Sequence, residues 1–338
     1  MERSRDRAYC FVGRFIMLAA VFVVAISGAT RHVPAFAQSY PTKPITVVIP
    51  NTPGGSSDPV IRLVGAKLGE AWGQQVLTEY RSGANGVVGY NAARARPADG
   101  YTLFLGNDSQ VVTSPHLDPS LGYVDQHFVP VIQGVRIEYV LAVHPSVTAN
   151  TVSELIDYLK ANKGKVSYAH TGTASIHQLS MELLKSAGGL AFGDVLGIPY
   201  KGSGQYLIDM VAGQVQLAYG GIAQTMPHVR AGKLRAIGIG ATKRLDAAPG
   251  VPAIAETYAG FETSSSWDFF APIGTPADIV KKLNTEINSI LAMPDVRERL
   301  IAQAMYPIGG PPEALSARMK ADYEKWGAII RKLNLKAE

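Results

Sequence analysis

An unbroken β-branched run, Ile45-Thr46-Val47-Val48-Ile49, leads into Pro50-Asn51-Thr52-Pro53-Gly54-Gly55-Ser56-Ser57-Asp58, and an amphipathic segment follows at once. A short apolar strand without alternation suits burial on both faces, as in parallel sheets covered by helices. Two prolines and two adjacent glycines turn the chain sharply and let another group approach the backbone. Asp58-Pro59 is a strong helix start, because aspartate can accept hydrogen bonds from first-turn amides and proline suits the first helical position. Over 59–71, Val60, Val64 and Leu68 then share one helix face. Asp58 and Arg62 stand one turn apart, where a local ion pair competes with a ligand contact for the carboxylate.

The same strand, loop and helix order recurs. Residues 75–78 read as the next strand, 82–86 as a second glycine-rich turn, and 87–96 as a helix of small residues. Another strand at 101–105 ends in Gly106-Asn107-Asp108-Ser109. Alternation of this kind implies a parallel sheet whose ligands sit where the carboxyl ends of the strands meet the loops. From residue 139 the pattern starts again, with strands at 139–143 and 166–169 around a helix over 151–161. The loop Thr171-Gly172-Thr173-Ala174-Ser175-Ile176-His177-Gln178 follows, and Ser175 with Gln178 has the spacing of a capping box. Ile198-Pro199-Tyr200 leads into Lys201-Gly202-Ser203-Gly204 and a helix over 205–212, with strands at 216–219 and 235–239 beyond. Helices over 276–292, 295–304 and 312–333 complete the chain.

The 338-residue length suits two domains. Ahead of them, Arg3, Arg5, Arg7 and Arg14 precede an apolar run over 15–26, and Ala35-Phe36-Ala37 offers a cleavage site, so 1–37 reads as a signal peptide removed on export. A retained membrane anchor is disfavoured because that run falls short of the roughly 20 residues a span needs. Removal takes away five arginines and two acidic residues, lowering the formal charge from +5 to +2. No dense basic block remains to mark a nucleic-acid partner. The single cysteine, Cys10, departs with the signal, excluding thiol catalysis and cysteine-ligated metals.

Two glycine-rich loops that each open a helix, one per lobe, suit a small anion caught between them. Helix N-termini carry free N–H donors and partial positive charge, so no lysine or arginine is required. Gly54, Gly55, Gly172 and Gly202 also have a plainer reading as turn residues. No Walker A loop, G-x-G-x-x-G, G-x-S-x-G or H-E-x-x-H pattern is present, so neither a cofactor nor a metal is expected. His170 and His177 flank the second loop, with structural roles favoured over acid-base roles. A secreted hydrolase using His177 or Ser175 is the enzymatic alternative, without triad spacing to support it. Trp267, beside Phe269 and Phe270, fits either a core or a cleft wall.

The stretches Tyr40-Pro41-Thr42-Lys43-Pro44-Ile45, Pro53 to Asp58 with Arg62, Pro97-Ala98-Asp99-Gly100-Tyr101-Thr102-Leu103, Gly172 to Leu179, Pro199-Tyr200-Lys201-Gly202 and Gly232-Lys233-Leu234-Arg235-Ala236 together resemble the Bug (Bordetella uptake gene), TctC-like family of extracytoplasmic solute receptors. The resemblance covers about residues 40–333. It implies an α/β fold like the type II periplasmic binding proteins, with two α/β lobes and a ligand cleft between them. On this chain the lobes are expected at 38–140 plus 262–338 and at 141–261. The resemblance further implies a monomeric periplasmic receptor, not an enzyme, that captures a small mono-, di- or tricarboxylate for the membrane permease subunits of a tripartite tricarboxylate-type transporter. A receptor feeding a sensor or partner protein is the alternative. Ligand contacts carry over to Pro53, Gly54, Gly55, Ser56, Ser57 and Asp58, and to Thr171, Gly172, Thr173, Ala174, Ser175 and His177. Asn107 and Tyr200, Lys201 and Gly202 are the expected walls. Tyr80, Ser82, Asn85, Gln216 and Asp268 depart from the family pattern, and an Asp268 lining the cleft would repel an anion.

Overall fold

The computed structural model describes residues 40–54, 56–200 and 202–336. The chain falls into two units, Met1–Thr42 and Lys43–Glu338, and every element named below lies in the second. The expected signal peptide, together with Gly55 and Lys201, lies outside the described residues.

Strands β1 (Ile45–Ile49), β2 (Val76–Tyr80) and β3 (Thr102–Asn107) are parallel, with β1 between the other two. Ile45, Val47, Val48 and Ile49 are fully buried, as the continuous apolar run requires. Helix α1 (Asp58–Trp72) follows β1 and ends at Gly73, whose left-handed φ of 63° closes the last turn onto Gly69 O. Helix α2 (Val87–Arg94) follows the second loop, and one turn of helix, α3 (Ser114–Leu117), lies beyond the third.

The second half contains α4 (Val152–Ala161), β5 (Ser167–His170), α5 (Ile176–Ala187), β6 (Leu196–Pro199), α6 (Ser203–Val211), β7 (Leu217–Gly221), α7 (Ile222–Arg230) and β8 (Arg235–Ile239). β5 runs parallel to both β6 and β7. Thr151 caps α4, its hydroxyl accepting from Glu154 N at 3.2 Å while Glu154 accepts from Asn150 N at 2.8 Å. Ser175 caps α5.

Two long strands join the halves. β4 (Phe128–Val143) and β9 (Ser264–Pro272) are antiparallel over most of their length, and β9 also pairs with β3. At Glu138 the pairing of β4 with β9 ends, and from Tyr139 onward β4 lies between β7 and β8. The chain returns beside this point, where Gly240 N donates to Tyr139 O and Thr263 N to Gly240 O, each at 2.9 Å. Helices α8 (Ala277–Ala292), α9 (Pro294–Ile301) and α10 (Pro312–Lys332), with a short strand β10 (Met305–Pro307) on β4, complete the fold.

A buried polar cluster ties α10 to the first half. Arg318 on α10 reaches Asp108, Asp268 and Asp322 at 2.9, 2.5 and 2.8 Å. Asp268 is fully buried and also accepts from Ser266 Oγ at 2.6 Å and Gly134 N at 3.3 Å. Asp268 therefore lies inside the protein, held by Arg318, and the condition under which it would repel an anion in the cleft is not met.

Candidate functional site

Parallel pairing brings the informative loops to common edges. β1 and β3 both end beside 50–58 and 107–109, while His170 at the end of β5 lies opposite Pro199 at the end of β6. The loops 171–175 and 200–203 therefore start from one edge, where Tyr200 N donates to His170 O at 2.8 Å. The halves meet at the loop tips. A β-carbon placed on Gly172 would lie 4.0 Å from Asn85 Oδ1, across from the second loop of the first half. Deeper in, the His177 ring stands 5.1 Å from Tyr139 on β4 and 6.0 Å from Tyr206 on α6.

In the first loop, Ser57 rather than Asp58 holds the N-cap position of α1, and no side chain caps the first-turn amides. Asp58 is the first helical residue, and its carboxylate turns back. One oxygen accepts from Gly54 N at 2.7 Å, the other from Tyr80 Oη at 3.0 Å, and the exposed Arg62 stands 3.7 Å away. Asp58 thus closes the loop on itself and occupies the Gly54 amide, while Gly54 takes the left-handed φ of 85° that suits glycine. The amides of Ser56, Ser57 and Asp58 have no acceptor among the described residues. Ser57 is completely buried and its hydroxyl has no partner among the described residues. Trp267 settles beneath this loop, buried in the core while its Nε1 donates to Ser56 Oγ at 3.1 Å. Pro53 is exposed beside them.

The second loop has the same logic with different parts. Ser175 Oγ accepts from Gln178 N at 3.4 Å, and Gln178 Oε1 accepts from Ala174 N at 2.7 Å. The reach-back is one residue earlier than in the usual capping box and holds Ala174 at a left-handed φ of 54°. Ser175 N is used by Gly172 O. The amides of Ile176 and His177 at the head of α5 have no acceptor among the described residues. Thr171 Oγ1 lies 2.9 Å from His177 Nδ1. Burial pushes the His177 pKa down to about 4, and the nearby His170 adds to the effect. The imidazole is therefore neutral at neutral pH.

The walls are organised by local bonds. Asn107 Oδ1 accepts from Ser109 N at 2.9 Å, and Gln110 links Asn107 N to Asn85 O through bonds of 3.0 Å each. Tyr200 Oη donates to Asp209 at 3.0 Å, Gly202 is the N-cap of α6, and Thr173 is half-buried. Among the described residues of these segments the carboxylates are Asp58 and Asp108, and both turn to protein partners. What remains for a solute is amide and hydroxyl donors at two helix heads, fifteen and twelve residues long. That is a setting for a small anion. Tyr139 and Tyr206 lie outside the residues selected by motif, since the strand and the helix that carry them have apolar patterns, while Tyr80 stands out in the sequence only as a departure from the family pattern, on a half-exposed strand.

This is the architecture of a solute-binding receptor, with two α/β lobes crossed by two strands and polar loops meeting between them. The chain belongs to the tripartite tricarboxylate transporter receptor family, TctC, whose model matches residues 60–335. It is 33% identical over 322 residues to Protein BugT of Bordetella pertussis, covering 94% of this chain and 98% of BugT. Among solved structures it is similar to Rpa4515 of Rhodopseudomonas palustris with adipate, at 31% identity, a TM-score of 0.80 and coverage of 88% and 99% of the two chains. MatC of the same organism, with bound malate, gives 29% identity, a TM-score of 0.76 and coverage of 86% and 100%. The family consists of receptors, not enzymes. In keeping with that, Ser175 caps a helix and His177 pairs with a threonine.

Proposed function

We propose that this protein is a periplasmic receptor that captures a small mono-, di- or tricarboxylate between its lobes and delivers it, as a monomer, to the membrane permease subunits of a tripartite tricarboxylate-type transporter. The observation that carries the reading is the pair of helix heads, at 56–58 and 176–177, whose amides lack acceptors among the described residues. Ser57, whose buried hydroxyl is also unpartnered among these residues, adds a donor that an oxyanion would satisfy. The relatives solved with adipate and malate support a carboxylate.

The contacts we assign are Pro53, Gly54, Ser56, Ser57, Thr171, Gly172, Thr173, Ala174, Ser175 and His177, with Asn107, Tyr200 and Gly202 as walls. Gly54, Ala174 and Ser175 shape the loops, since their own amides are used internally. Asp58 also belongs to this set as the residue that fixes the first loop. Gly55 and Lys201 complete it by their place in the chain. Lobes of 38–140 plus 262–338 and of 141–261 agree with the change of partners of β4 at Glu138 and Tyr139 and with the Gly240 to Thr263 contact beside it. Closure would pivot there, and a ligand shifts that equilibrium only as far as it prefers the closed form.

Calorimetry of the chain from residue 38 onward against malate, succinate, adipate and citrate, with glucose as the neutral control, tests the reading. Saturable binding of one or more acids is expected. Binding of glucose without binding of any acid would overturn it. Co-purification with the membrane subunits separates transport from delivery to a sensor.

A further inference from the structure

Successive side chains of a strand point to opposite faces, so Val140 faces away from Tyr139 and from the cleft. Val140 packs with Ile222 and Met226 of α7, with Ile239, and with Ala304 from just before β10. Beside this packing lies a cavity of about 620 Å³. One side is built by α7 and residues 243–247, the other by residues 301–306. The cavity therefore lies beside the point where β4 changes partners, on the face of β4 opposite Tyr139, with a wall from either side of that point. Its volume falls within the range of small-molecule sites, roughly 300–1,000 Å³.

The lining has two characters. Ile222, Met226, Leu245, Ile301 and Ala304 make an apolar floor. Arg230, Lys243 and Arg244 stand at the rim, with Asp246 as the acidic lining residue. Arg244 is occupied by Glu256, through two bonds of 2.9 and 2.7 Å. Arg230 and Lys243 have no carboxylate within ion-pair distance among the described residues. An apolar floor beneath two uncommitted cations matches a molecule with an anionic head and an apolar body.

We propose that this cavity is a second ligand site, for an amphipathic carboxylate, with the head held by Arg230 and Lys243 and the chain lying on Ile222, Met226 and Ala304. The solutes expected in the front cleft are small and polar, and the donors there are amides and hydroxyls. The rear site selects for a long apolar chain and uses cationic side chains. Because its walls come from both sides of the point where β4 changes partners, its occupant contacts both moving parts. Any preference it has for one hinge angle is felt equally by the cleft ligand.

The probe is decanoate, titrated below its micellar concentration into the chain from residue 38 onward by calorimetry. One saturable site is expected. Arg230→Glu with Lys243→Glu should weaken decanoate roughly ten- to hundredfold, the loss of charge-assisted bonds. Both side chains are exposed, so the fold should survive, as a thermal melt will show. Ala302→Trp, which fills the cavity from the opposite wall, should abolish decanoate binding independently. The proposal is overturned if decanoate does not bind, or if it binds with unchanged affinity in both variants. Malate and adipate titrated into the same variants report the front cleft separately, so failure of the cleft reading leaves this test standing.

Discussion

Replacing Asp58 by alanine separates a residue that builds the loop from one that contacts the ligand. Its carboxylate accepts from Gly54 N at 2.7 Å and from Tyr80 Oη at 3.0 Å. Hydrogen bonds to charged groups contribute roughly 1.5–3 kcal/mol each. Gly54 is exposed and Tyr80 half-buried, so water can replace part of what is lost and the low end applies. Arg62 is 78% exposed at 3.7 Å and adds under about 0.5 kcal/mol. Asp58→Ala should therefore cost about 2–3 kcal/mol in urea unfolding at unchanged m-value, and Tyr80→Phe about 1 kcal/mol. The double variant should show a coupling of about 1 kcal/mol, because the two side chains share one bond. Affinity for acids should fall as the loop loosens, while their ranking stays the same, since the amides at 56–58 remain. A stability loss below about 0.5 kcal/mol would refute the loop-closing role. A changed ranking between simple acids and amino acids would make Asp58 a ligand contact.

Three further outcomes follow from buried groups. Burial raises the Asp268 pKa to about 6, against the opposing effect of Arg318 and with help from Asp108. The folded state thus keeps a proton that the unfolded chain releases near pH 4, so stability is greater below that value and falls as pH rises through 6. That group alone accounts for a drop on the order of 2–3 kcal/mol, which Asp268→Asn should remove from urea unfolding compared at pH 4.5 and 7.5; an unchanged difference between the two pH values counts against it. Lys185→Met strands Glu182, which Lys185 Nζ reaches at 2.8 Å and Tyr168 Oη at 2.9 Å, all in the core. The loss should be about 3 kcal/mol at pH 8 and smaller at pH 5, where Glu182, its pKa raised by burial, can take up a proton; Glu182→Gln in the same chain should restore much of it. A methyl group on Gly89 would sit 2.7 Å from Pro50 Cα and 2.8 Å from Arg81 O. Gly89→Ala should destabilise by about 1–3 kcal/mol despite its better helix propensity, and weaken acid binding by displacing the start of the first loop, both read by calorimetry.

What the sequence made legible was local. The five-residue run of β1, the helix beginning at Asp58 and the cap at Ser175 each rest on a few adjacent residues whose physics is short-ranged. The strand β4 was read only from Tyr139, because Gln133, Gly134, Arg136 and Glu138 interrupt its alternation. In the structure two register shifts absorb the irregularity, and Arg136 and Glu138 pair with each other at 2.5 Å. The burial of Asp268 was hidden for another reason. Its partner, Arg318, lies 50 residues further on in a helix whose own pattern reads as amphipathic.

The direction of the Asp58 carboxylate was equally invisible, since a helix-starting aspartate has the same sequence whether it caps the first turn or reaches back to Gly54. This bears on the chemistry of the cleft. A search for cationic side chains finds Arg62 beside the first loop, but that residue is exposed and turned to Asp58. The donors that remain are the amides at 56–58 and 176–177, which every residue but proline carries and no composition reveals. An amide cradle fixes where an oxyanion sits without specifying what is attached to it, because the backbone offers the same N–H whatever side chain it bears. Discrimination among acids is then expected to rest on side chains beside the amides rather than on the amides themselves. His177, at the head of α5 and 5.1 Å from the Tyr139 ring, is the one to test, by titrating His177→Ala with the same panel of acids.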